Sequence, residues 1–179
     1  MTIYRLRADM DNYAVLTVQD KDLSFSLQFD GRKLKDKWKP INAYREDRKQ
    51  NKLLLSNMPG MEYHIPIFDE MSKKVLEKMI KNNVEFLELI NSEKKLWIAN
   101  VICILDCIDY DKSKYITFSN SNKIMWFECY YFRRKIIGNN KIFKLIDEPL
   151  STPFVTEEFK KEVEDYKLTG FIFEKVWEG

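Results

Sequence analysis

Apolar residues recur with a period of two through much of this chain, and with a helical period at only two main places. Ile3 to Arg7 and Tyr13 to Val18 alternate apolar with polar positions, which predicts two opening strands joined through Asp9 to Asn12. Leu23, Phe25, Leu27 and Phe29 alternate with Ser24, Ser26 and Gln28, predicting a half-buried strand that ends at Asp30-Gly31. Ile65 and Ile67 flank Pro66, which has no N–H to give a ladder and therefore suits an edge strand. Val84 to Leu89 and Lys95 to Val101 read as strands joined around Asn91-Ser92-Glu93. Tyr115 to Phe118 and Ile124 to Phe132 are aromatic strands around Asn120-Ser121-Asn122. Gly138-Asn139-Asn140, between Ile136-Ile137 and Ile142-Phe143, signals a short hairpin loop.

The helical period appears first over about 70–81. Asp69 is placed to cap this helix, Met71, Val75, Met79 and Ile80 form its apolar face, and Asn82-Asn83 closes it, since Asn tolerates the left-handed conformation. A second helix is predicted over about 157–167. Thr156 is its N-cap, and Glu157 and Glu158 favour the positive end of the helix dipole. Phe159, Val163 and Tyr166 make one stripe, and Gly170 acts as the left-handed stop before a strand from Phe171 to Trp177. No period repeats and no flexible linker interrupts the pattern. The prediction is an α+β protein with one domain over residues 1–179, a mostly antiparallel sheet and two main helices.

Composition adds a filled core. Aromatic residues make up 14% of the chain while Gly and Pro number 5 each, the opposite of a loop-rich or disordered sequence. The N-terminus lacks the apolar segment of a signal peptide. The longest apolar run, Leu96 to Leu105, is broken by Asn100 and too short for a bilayer, so no membrane partner is expected. Three cysteines, Cys103, Cys107 and Cys129, cannot all pair internally, which fits a reducing cytoplasm.

Net charge is only +2, so the total does not call for nucleic acid, but the charge is unevenly spread. Arg32 to Lys52 holds nine basic residues against three acidic ones, with Trp38 and Tyr44 interleaved; Asp147 to Gly179 holds nine acidic residues against four lysines. Lys33, Lys35, Lys37 and Lys39 beside Trp38 could hold phosphates and stack a base, or could equally guard a solvated strand edge. Asp106 and Asp109 could hold a divalent cation or share a proton, or could simply end a strand. The only histidine, His64, and the three cysteines lack C-x-x-C spacing, so no metal site is expected. No phosphate-cradling glycine loop and no nucleophile elbow is present, so neither a cofactor nor a catalytic residue is assigned.

Several blocks together resemble a known family. Asn100-Val101 through Leu105-Asp106, Asp109 and Ser113 is similar to a central N-V-x-x-x-L-D-x-x-D-x-x-x-S strand and turn. Ile65-Pro66-Ile67, the helix and Val84 to Leu87 resemble its helix-to-strand unit. Ile142 to Leu145, Pro153 to Thr156, the acidic helix and Leu168 to Phe173 resemble its C-terminal signature. The family is immunity family eleven of bacterial polymorphic-toxin systems, and the likeness spans Ile65 to Trp177, with the first sixty residues matching loosely. The resemblance implies a small cytoplasmic, non-catalytic antitoxin that binds and blocks a cognate toxin encoded beside it. A toxin could be met through the basic segment (Lys35, Lys37, Trp38, Arg48) if acidic, or through the acidic helix (Glu157, Glu158, Glu162) if basic. A cation-dependent enzyme using Asp106 and Asp109, and an RNA-binding module using residues 32–52, are the readings that compete with it.

Overall fold

The computed structural model describes residues 1–18, 23–46, 53–61 and 65–179. The alternating segments become strands β1 (Thr2–Ala8), β2 (Val15–Val18), β3 (Ile41–Arg45), β4 (Gly60–Met61) and β5 (Ile67–Asp69) in the first part of the chain. After a helix over Glu70–Ile80 come β6 (Val84–Ile90), β7 (Leu96–Val101), β8 (Ile104–Leu105), β9 (Lys114–Thr117), β10 (Ile124–Cys129), β11 (Ile142–Leu145), β12 (Phe154–Thr156) and β13 (Phe171–Glu178). The two long helices are α2 (Glu70–Ile80) and α4 (Glu157–Asp165), with short helices α1 (Leu23–Leu27) and α3 (Arg134–Ile137).

The strands are mostly antiparallel, as predicted, but they divide between two main sheets and a separate hairpin. One sheet has the order β13-β1-β12-β11-β8, the other β4-β2-β3-β6-β7-β5, and β9 pairs only with β10 among the described residues. The pairs β8 with β11, β2 with β4 and β3 with β6 are parallel. β1 and β2 therefore do not form an opening hairpin; each enters a different sheet. β5 is an edge strand, as Pro66 implies.

A shared core joins the sheets. Tyr4, Leu6, Ile142 and Val155 from the first meet Phe68, Val84, Ala99 and Val101 from the second, with Leu76 and Ile80 of α2 and Phe159 and Val163 of α4 between them. Burying a side chain such as Phe68 or Phe159 contributes about 2 kcal/mol relative to leaving it exposed. α2 starts as predicted, with the Asp69 carboxylate accepting the Ser72 N–H. Its buried face, however, is Ser72, Leu76 and Ile80, while Met71 is exposed. The shift has a local cause: the Ser72 hydroxyl donates to the Asn57 carbonyl at 2.8 Å, so a polar residue belongs to the buried stripe and hides it from an apolar count. The helix closes at Lys81 in the right-handed region, and neither Asn82 nor Asn83 has a positive φ.

Two further expectations are corrected. Leu23–Leu27 is a helix, not a strand. Phe25 and Phe29 stand four apart, a spacing that fits both the strand period of two and the helix period, and their rings meet at 5.2 Å in the folded chain. Ile136 and Ile137 are in α3, so Gly138 follows a helical turn and not a hairpin strand.

The end of α4 also differs from the expected one. Thr156 holds the N-cap position without a side-chain cap bond. At the other end the left-handed residue that closes the helix is Lys167, φ 52°, three residues before Gly170, which also has a positive φ. The Leu168 N–H donates to Val163 O at 3.0 Å and the Lys167 N–H to Glu164 O at 3.0 Å, a Schellman closure with Leu168 and Val163 buried in the same cluster. Tyr166 therefore leaves the helix and is exposed, and Leu168 takes the place expected for it in the core. Gly170 has φ +85° for another reason: a Cβ there would lie 2.1 Å from Ser56 Oγ and 2.7 Å from Met58 O.

These two positions give opposite predictions. Lys167→Gly relieves the left-handed strain and is expected to stabilise the protein by about 0.5 to 1 kcal/mol, after the added unfolded-chain entropy. Gly170→Ala is expected to destabilise it by at least about 2 kcal/mol. Urea unfolding of both variants checks the pair.

Candidate interaction surfaces

The basic segment folds as a turn docked on the second sheet. Residues Lys35–Lys37 form one 3-10 turn, and Glu85 on β6 accepts the backbone N–H groups of Leu34 at 2.7 Å and Lys35 at 3.3 Å. Lys35 and Lys37 are exposed and make no ion pair among the described residues. Trp38 is half-buried: its ring lies 6.3 Å from Phe29 and its indole N–H donates to Glu88 O at 2.9 Å. It is a packing residue, set against the core of the second sheet. Arg48 lies outside the described residues.

The acidic candidates sit on α4. Glu157 and Glu158 are exposed in its first turn, as predicted, and Glu162 is half-buried. Lys141 Nζ lies 3.1 Å from Glu158, and the Tyr4 hydroxyl 3.5 Å from Glu157. The Thr156 hydroxyl and then Lys141 hold the Glu158 carboxyl below its ordinary pKa. Glu162 and Tyr166 line a shallow groove with Met71, Lys74, Val75, Lys78 and Met79 of α2.

Asp106 and Asp109 are each met by a cation of the chain. Arg133 donates to the Asp106 carboxylate at 2.9 Å and to its carbonyl at 2.7 Å, and Lys112 pairs with Asp109 at 3.1 Å. Among the described residues no three acidic, His or Cys side chains are grouped as metal ligands; His64 lies outside them. Cys107 is fully buried, which pushes its thiol up to about 12, and Cys129 is exposed. Lys144 is the most perturbed cation. It is 5% exposed, its Nζ donates to Phe29 O at 2.8 Å and Pro149 O at 2.9 Å, and burial lowers its pKa to about 8. Both bonds go to backbone carbonyls, so the group clamps two loops.

One surface was not singled out from sequence. Cys107 to Arg133 forms a single hairpin arm. Its base is closed by the Ile108–Phe132 bridge, Asp109 N to Tyr131 O at 2.8 Å and Arg133 N to Cys107 O at 2.7 Å. Beyond the base, β9 and β10 pair antiparallel, with Trp126 opposite Ile116 and Phe127 opposite Tyr115. Phe127 points into the core, 5.8 Å from Tyr115 and 4.9 Å from Tyr130, whereas Ile116, Phe118, Met125 and Trp126 are exposed. The available sequence signal was the run Ile124-Met125-Trp126-Phe127, which has apolar side chains for both faces of a strand. It predicts burial on both sides, and only one is covered.

The sequence profile of the immunity protein family called Imm11 matches residues 73–178, more than half of the chain. The chain belongs to this family. The match runs from α2 through β13 and includes the arm; the basic turn lies outside it. A comparison with curated proteins gives no match. Among the described residues no helix is long and apolar enough to cross a membrane.

The buried lysine gives a pH prediction. Below pH 8 both folded and unfolded chains carry the Lys144 charge, and its burial cost is fully present. As pH rises past 8 toward 10.5 the folded lysine is neutral while the unfolded one still binds a proton, so stability rises with pH. Between pH 7.5 and 9.5 the wild type is expected to gain about 2 kcal/mol relative to Lys144→Met, read from urea unfolding of both at each pH.

Proposed function

We propose that this protein is a non-catalytic immunity protein that binds a cognate polymorphic-toxin domain in the cytoplasm and blocks it. The observation that carries the reading is the family match over residues 73–178. The protein's surface chemistry is compatible with it, because tight toxin–immunity pairs need a rigid scaffold that presents anchor side chains and complementary charge. Lys35 and Lys37 make no ion pair among the described residues and would steer an acidic partner, while Glu157 and Glu158 already lie against Tyr4 and Lys141.

Co-expression with the product of the adjacent gene tests the reading directly. That product is expected to arrest growth alone, to be harmless with this protein and to co-purify with it; toxicity that persists without co-purification would reject the pairing. Within a confirmed pair, reversing Lys35, Lys37 and Arg48 to Glu is expected to lower the association rate roughly tenfold at low salt. Reversing Glu157, Glu158 and Glu162 to Lys should not lower it. Stopped-flow association at two salt concentrations separates the two surfaces.

A further inference from the structure

Methionines close gaps in protein cores, because their rotatable bonds and polarisable sulfur let the side chain follow an irregular wall. Here three of them surround a gap that stays open. Met10, Met58 and Met61 line a cavity of about 50 Å³, with Leu6, Ala8 and Pro66 in its apolar wall. That is more space than one water needs and far less than an organic ligand fills. Met58 belongs to the core shared by the two sheets and Met61 to the core of the second sheet, so the cavity lies at their seam.

The chain brings these residues together locally. Met58 and Met61 flank Pro59-Gly60, and both side chains line the cavity. Met10 reaches the same turn from the loop after β1. A Cβ on Gly60 would lie 2.4 Å from Met10 Cγ and 2.8 Å from its Sδ, so only a glycine lets that sulfur rest on the turn. Met58 and Met61 are buried and Met10 is exposed, which makes Met10 the thioether nearest solvent. A second observation marks the same space. Thr152 lines it too, is 6% exposed, and its hydroxyl has no hydrogen-bond partner among the described residues. A buried hydroxyl without a partner is costly, so a polar or ionic occupant belongs beside it.

The donors decide what that occupant is. No carboxylate, imidazole or thiol of the described residues lines the cavity, so the ligands that Ca²⁺, Mg²⁺ or Zn²⁺ need are missing. Arg7 lines it as well, but its guanidinium pairs with Glu174 at 3.8 Å. Thioether sulfurs accept and do not donate, so they offer an anion nothing. Neutral, soft thioethers select Cu(I). A single positive charge also suits walls without carboxylates, because the cost of burying an ion rises steeply with its charge.

We infer that Met10, Met58 and Met61 form a thioether site for one Cu(I) ion, with the Thr152 hydroxyl beside it. Binding releases no proton, because thioethers carry none, so the affinity does not fall in mild acid as that of a thiolate or imidazole site does. The ion joins the loop after β1 of the first sheet to β4 of the second, and its binding therefore stabilises the folded chain. The inference is independent of the immunity reading.

The test uses the full chain carrying Cys103→Ser and Cys129→Ser, because those thiols, half-buried and exposed, would take a soft metal themselves. Ag(I) serves as a redox-inert stand-in for Cu(I). With all 7 methionines labelled at the methyl carbon, an equimolar amount of Ag(I) is expected to shift the Met10, Met58 and Met61 signals together. Those of Met71, Met79 and Met125 should stay in place. Met10→Leu, Met58→Leu and Met61→Leu keep the side-chain volume, and each is expected to weaken Cu(I) binding at least about tenfold in competition with bicinchoninate. Met71→Leu, at an exposed methionine of α2, should bind as the parent does. Affinity is expected to be the same at about pH 6 and about pH 8, and Cu(I) is expected to raise the melting temperature. If Ag(I) leaves the three signals unmoved, the cavity holds water only and the proposal is overturned. Binding that survives all three Met→Leu changes, or that His64→Ala abolishes while they do not, overturns it in favour of another ligand set. Should a buried variant fail to fold, the methyl shifts of the parent and the affinity of Met10→Leu, at the exposed position, give the answer.

Discussion

The carboxylate of Asp69 is the point through which separate parts of this fold are held in register. One of its oxygens accepts the Ser72 N–H at 2.9 Å and fixes the start of α2; the other accepts from Asn57 at 2.9 Å and Lys94 at 3.0 Å. Asn57 in turn accepts the Thr169 N–H at 2.9 Å, and its own N–H donates to the Thr169 hydroxyl at 3.2 Å. Four segments distant in sequence therefore meet at one buried acid: the loop before β4, the start of α2, the turn before β7 and the approach to β13. Buried polar groups carry weight in this way only when each is satisfied, because an unpaired one costs about 1 to 3 kcal/mol. Gly170 follows from the same junction. It passes so close to Ser56 and Met58 that no side chain fits.

With α2 and the approach to β13 fixed there, the shared core follows. α2 and α4 lie against both sheets, and the aromatic residues of β1, β5, α4 and β13 fill the space between them. The first sheet has a second apolar side, occupied by Ile3, Phe143, Phe154, Phe132 and Tyr130. Those last two rings belong to the base of the arm. The arm is thus rooted in a core that forms whether or not a partner is present, and its outer strands are what remains after that core is full.

Much of this order was legible in the sequence because the patterns were unambiguous. Val84 to Val101 alternates around an Asn-Ser turn, and it forms the β6–β7 hairpin. Asp69 precedes an amphipathic run, and it caps α2. Legibility failed where one residue served two periods or where a polar group was buried for a reason set elsewhere. Phe25 and Phe29 fit a strand and a helix equally; in the folded chain their rings meet and Phe29 packs on Trp38. Ser72 reads as surface until Asn57 is known to lie over it. Lys167 carries a positive φ that sequence assigns to a glycine three residues later. The division into two sheets depends on non-local pairings that no local pattern encodes. The charged candidates were legible as charges, but their freedom to act was not: Glu158 is partnered, and Lys35 makes no ion pair among the described residues.

The same distinction between partnered and free groups bears on what the protein does. Three side chains whose chemistry could serve catalysis are committed to the fold. Lys144 clamps two carbonyls, Cys107 is sealed in the core, and Asp106 is held by Arg133. On the β9–β10 hairpin the exposed groups are aromatic and aliphatic side chains interleaved with Lys114, Lys123, Asp111 and Glu128. Exposed apolar area and exposed charge are the two quantities on which protein–protein affinity and association rate depend. An arm rooted by Tyr130 and Phe132 joins a packed base to exposed outer strands within a single hairpin.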